Sequence, residues 1–164
     1  MATTNQYEFF KYLFEIEKST QKEIVTKGQV YLSVITFYLG VTLFKAPELL
    51  KELESEEPNT IMGVFLVGIL FFLFALLFDL ISLGHFYKYE RINDAKHIIN
   101  QLGKSPPSDE DFFDDRIIDL TVAITRNTRA NRKKDKFLLL TTIFLIIGVL
   151  FHSIFFTIFF IEKL

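Results

Sequence analysis

The chain has 164 residues, 20 of them Phe, with no Cys, no Trp and a formal net charge of −2. Without cysteine there is no disulfide, no thiolate metal site and no thiol nucleophile. About half of the residues fall in apolar runs, which leaves no length for a large soluble domain beside them.

Residues 5–27 predict an amphipathic helix. Tyr7, Phe10 and Phe14, with Phe9, Leu13 and Ile16, recur at helical spacing opposite Lys11, Glu15, Lys18, Lys22 and Glu23. The expected role is an interfacial helix with its aromatic stripe among lipid headgroups; the sharper alternative is a docking helix for a partner or second protomer. Next comes Gln29 to Phe44, 16 uncharged residues, or about 24 Å of helix. Extending this span to 24–45, with Lys27 snorkelling, gives it enough length. Gln29, Ser33, Thr36 and Gly40 form a small, polar stripe along it. Ala46-Pro47 is expected to end the span, and 48–57 to form a short outer helix.

Ile61 to Gly84 is a run of 24 residues whose only charge is Asp79, matching the roughly 20 residues a membrane-crossing helix needs. Gly68, Phe72, Ala75, Asp79 and Ser82 share one of its faces. Residues 85–136 then predict a cytosolic helical hairpin. A helix over 85–102 is stopped by Gly103 to Pro107, and a second starts at Ser108 with Asp109, Glu110 and Asp111 in its first turn. That second helix is expected to run unbroken into a third span, 137–161, where Thr141, Leu145, Gly148 and His152 share a face.

Charge segregation gives the orientation. Residues 45–60 hold two Lys and five Glu, whereas 85–136 hold 11 Lys or Arg and nine acids. Basic residues are retained on the cytoplasmic side, so the expected topology is multi-pass in the inner membrane, N-terminus cytoplasmic and C-terminus outside, with no cleavable signal. The fold class is all-α: an integral membrane protein of three transmembrane helices (24–45, 61–84, 137–161), an N-terminal amphipathic helix and a cytosolic hairpin between the second and third, read as one domain over 1–164.

Few side chains here carry chemistry. Asp79 is costly in hydrocarbon and must face protein or water. It is read either as a carboxylate lining an oligomeric path or proton-linked switch, or as a group that caps or pairs with a hydroxyl or Lys. His152 either titrates and gates a path or sits neutral, bonded to a Ser or Thr. Ser33 and Thr36 complete the candidate path residues, although packing within one protomer is the preferred explanation of any single stripe. Arg126, Arg129, Arg132, Lys133, Lys134 and Lys136 form a basic cluster, ranked first as a contact for anionic lipid and second as a site for a nucleotide or RNA. There is no phosphate-cradling glycine loop, metal-spaced ligand set or nucleophile beside a base. The chain is therefore expected not to be an enzyme and to take no cofactor.

Two resemblances add to this reading. Arg91 and His97 form an R-x5-H spacing that resembles the paired motifs of HEPN-type ribonucleases, and the resemblance implies RNA cleavage across a dimer. Here a charged helix carrying an Arg and a His by coincidence is the preferred explanation. The Glu-Lys-rich helix followed by TKGQVYLSVITFYLG, with Lys27-Gly28 opening the first span, resembles small membrane effectors of bacterial anti-phage systems of the Pycsar and CBASS groups. Lys, Phe, Ile and Glu usage is similar to that of ancillary membrane proteins beside Cas13-type CRISPR nucleases. These likenesses imply a homo-oligomer that forms a pore or perturbs the membrane when a cytosolic nucleotide, RNA or protein triggers it. The alternative is a non-conducting scaffold or regulatory subunit that docks a soluble partner through 85–136.

Overall fold

The computed structural model describes residues 4–53, 59–84 and 109–162. Apart from Gly84 these lie in three helices: α1 (Thr4–Leu53), α2 (Asn59–Leu83) and α3 (Asp109–Glu162). Each contains a stretch long and apolar enough to cross a membrane. The helix expected over 85–102, with Arg91 and His97, lies outside the described residues. Of the short outer helix expected over 48–57, residues 48–53 instead continue α1, and 54–57 lie outside the described residues.

All three helices bury one face at seven-residue steps. On α1 the residues Tyr7, Phe14, Gln21, Gly28, Ile35 and Thr42 are buried or half-buried. On α2 the seam is Ile61, Phe65, Gly68, Phe72, Ala75, Asp79 and Ser82, alternating steps of four and three. On α3 it is Leu120, Asn127, Lys134, Thr141, Gly148 and Phe155. A seam repeating every 3.5 residues is the pattern of coiled-coil-like helix packing. The faces expected for the second and third spans coincide with it. α3 also runs unbroken from Asp109 into the third apolar run, as its sequence predicts.

The described residues group into two compact units, Met1–Ile24 with His85–Lys133, and Val25–Gly84 with Lys134–Leu164. In the first, Phe14 packs with Leu120 and Ala123, flanked by Tyr7, Phe10 and Ile124. The Tyr7 and Phe113 rings lie 5.5 Å apart. Below this apolar patch the Glu17 carboxylate accepts from Thr128 Oγ1 at 2.7 Å and Asn131 Nδ2 at 2.8 Å. Asn131 Nδ2 also donates to the Glu17 backbone carbonyl. Half of the N-terminal aromatic stripe is thus covered by α3 rather than left for headgroups; Phe9, Tyr12 and Ile16 remain exposed.

In the second unit two clusters carry the core. Ile35 and Leu39 of α1 pack with Phe72 and Ala75 of α2, and Ile61 and Phe65 pack with Phe155 and Phe159 of α3. The outward residues of α2 include Leu66, Leu70, Leu73, Leu77 and Leu80, the reverse of a helix turned toward water.

Two expectations about the first span are corrected. Its stripe of Gln29, Ser33, Thr36 and Gly40 points outward. The hydroxyls of Ser33 and Thr36 donate to the carbonyls of Gln29 and Leu32 on their own helix, so they need no neighbour, and larger apolar side chains take the inward positions. Pro47, expected to end the span, lies within α1. It removes one backbone bond and crowds the carbonyl of Leu43, but both residues are exposed and no packed neighbour must yield. The Lys45–Glu48 pair, 2.8 Å, bridges the position.

Candidate functional site

Two levels of buried polar groups stand out in the second unit. At one, His152 of α3 is 2% exposed. Its Nε2 lies 3.2 Å from the carbonyl oxygen of Phe65. A carbonyl only accepts, so Nε2 carries the hydrogen and Nδ1 is left to accept from the Tyr38 hydroxyl of α1. The imidazole stacks on Phe65 (centroids 5.2 Å, planes 11° apart) and packs against Phe72 and Tyr38. Gly68 makes room for it, because a Cβ at that position would overlap the His152 ring. Both ring nitrogens are satisfied with the ring neutral. The candidate His152 therefore joins three helices, and its partner is a tyrosine rather than the Ser or Thr expected.

At the other level is Asp79, 0% exposed. Neither carboxylate oxygen has a hydrogen-bond partner. An ionised carboxylate in hydrocarbon costs about 3 kcal/mol on insertion scales, and an unmatched buried polar group is costly in any apolar interior. A Cβ built on Gly28 of α1 would lie 3.3 Å from Oδ1 and 2.7 Å from Leu83 Cδ2, so glycine is what lets the α1 backbone reach this carboxyl. One turn on, Ser82 Oγ donates to the Lys134 carbonyl at 3.0 Å, tying α2 to α3. Lys134 is itself buried, and that burial lowers its pKa. His152 meets α2 at Phe65, Gly68 and Phe72; Asp79 follows Phe72 by seven residues, about 10 Å along the helix. The two form no acid–base dyad.

The remaining candidates lie outside these layers. Ser33 and Thr36 are exposed. So are Arg126, Arg129, Arg132, Lys133 and Lys136 on α3, whereas Lys134 separates from that cluster and turns inward. Among the described residues no group of three or more His, Asp or Glu is placed to hold a metal ion.

Sequence reasoning missed Tyr38, Glu17, Thr128 and Asn131. A tyrosine hydroxyl within an apolar run needs a partner, which is a signal for Tyr38. Glu17 falls at the same seven-residue register as Phe10, Ile24, Tyr31 and Tyr38, a position that predicts burial for an acid. No family model, curated protein or solved structure matches this chain.

Proposed function

We propose that this protein is a homo-oligomeric effector of the bacterial inner membrane. In this reading it crosses the bilayer three times with its N-terminus in the cytoplasm. It perturbs or conducts across the membrane when a cytosolic nucleotide, RNA or protein engages the first unit. The setting we propose is anti-phage defence, from the resemblance around Lys27-Gly28.

The observation that carries this reading is the outward face of α1. Gln29, Ser33, Thr36 and Gly40 point away from the interior of the second unit, among exposed neighbours that are apolar, such as Val30, Val34, Phe37 and Val41. Acyl chains gain nothing from such a stripe, while a second helix approaches closely over small residues. The interior of one copy is filled by Phe72, Ala75 and Phe155. Any water path in the proposed assembly therefore lies between copies, lined by this α1 face rather than by Asp79 or His152. The basic residues from Arg126 to Lys136 favour the cytoplasmic side for that end of α3 and suit contact with anionic headgroups.

The test pairs a membrane-potential dye in expressing bacteria with the mass of the detergent-solubilised protein. The expected result is several copies per particle and loss of potential, both diminished when Ser33 and Thr36 are replaced together by Leu. A single copy in detergent and in vesicles, with potential intact, overturns the reading. Assembly that never depolarises, whatever the trigger, points instead to a non-conducting scaffold.

A further inference from the structure

Within the second unit, Asp79 is the one described residue whose buried side-chain atoms lack any hydrogen-bond partner, and it lacks one at both oxygens. Its surroundings offer nothing to compensate a negative charge. Against it stand the Gly28 backbone and the Leu83 side chain. The hydroxyl hydrogen of Ser82 is committed to the Lys134 carbonyl. Of the charged groups at this level, Lys27 on α1 is exposed and engaged in an interaction of its own. On α3, Lys133, Asp135 and Lys136 are exposed and Lys134 is buried; α2 carries no other charge.

An ionised carboxylate requires donors or water, whereas the neutral acid carries no charge to solvate. A cation is a poor alternative occupant. One carboxylate supplies too few oxygens, and the buried Lys134 belongs to the same unit. We propose that Asp79 is a proton-binding site: the packed unit holds its side chain as the neutral acid, and loss of that proton undoes the close approach of α1 to α2 at Gly28. The protonated form is the packed one. Lowering the pH preserves the contact, and raising it drives the carboxyl toward water at the end of α2, which closes five residues on at Gly84. The inference does not depend on assembly or conduction, since every group in it belongs to one copy.

Infrared spectroscopy of the full chain in lipid vesicles tests it, because a carboxylic acid and a carboxylate absorb at separate C=O frequencies. The expected result is an acid band at neutral pH that shifts when Asp side chains carry 13C, is absent in Asp79→Asn, and is lost as the pH is raised. No 13C-sensitive acid band in the wild-type protein at neutral pH overturns the proposal, and that reading needs no variant to fold. Gly28→Ala supplies the second arm. Its methyl group would press on Leu83 and the carboxyl, admit water, and move the loss of the band to lower pH. An unchanged midpoint in a folded Gly28→Ala protein overturns the link between the proton and the helix contact.

Discussion

His152 is held by one donated bond, one accepted bond and three aromatic neighbours, so changes around it have separable effects. Tyr38→Phe keeps the ring contact with Phe72, centroids 4.4 Å, but strands Nδ1 without a donor. A stranded buried acceptor costs about 1–3 kcal/mol, to be read as a lower unfolding temperature in detergent. Gly68→Ala forces the imidazole out of its seat, an overpacking loss of about 1–3 kcal/mol that His152→Ala in the same chain should largely relieve. Lys134 differs in kind. Burial disfavours its charged form, so the unfolded chain binds the proton more readily, and the Lys134 contribution to stability rises as the pH climbs through the folded-state pKa toward the ordinary lysine range. Lys134→Met keeps the apolar stem and removes the charge. Thermal unfolding near neutral pH should show equal or greater stability than the parent, with the alkaline gain abolished. A clear loss of stability would show that the ammonium has a favourable partner.

At the scale of the helix, what the sequence discloses depends on how each polar residue is satisfied. The α2 face from Gly68 to Ser82 was legible because large apolar residues surround it on both sides and leave one place for an aspartate. On α3, Thr141, Gly148 and His152 were legible for the same reason. The α1 stripe misleads about packing within one copy, because the Ser33 and Thr36 hydroxyls close onto their own backbone and so need no partner there. The seven-residue seam of α1 is masked by Gln21, Gly28 and Thr42, and the row beside it by Glu17, which an apolar count passes over. Partners 114 residues apart, such as Tyr38 with His152 or Glu17 with Asn131, lie beyond any local pattern. The Glu17 clamp gives a prediction confined to the first unit. Glu17→Ala strands Thr128 Oγ1 and leaves Asn131 Nδ2 only the backbone carbonyl of position 17, and amide hydrogen exchange should rise over 109–133 while the amides of α2 keep their protection.

For the molecule as a whole, absence of cysteine makes orientation directly measurable. In the proposed topology, Ser105→Cys in intact cells resists an impermeant maleimide until the membrane is opened, and Ser55→Cys reacts at once. The opposite pattern would reverse the orientation and place the Arg126–Lys136 cluster outside. Extraction should require detergent, because Leu66, Leu70, Leu73 and their neighbours give α2 an outer surface of hydrocarbon.

Pro47 has one more effect in that setting. Having no amide proton to give, it leaves the oxygen of Leu43 unanswered by the helix, and such an oxygen tolerates the bilayer only where moisture can reach it. In the proposed topology the outer waterline of the first crossing is therefore set by an imino acid rather than by where the greasy residues stop. A quencher fixed at the lipid phosphates should find position 43 shallow despite its leucine, and replacing Pro47 with Ala should let that turn sink.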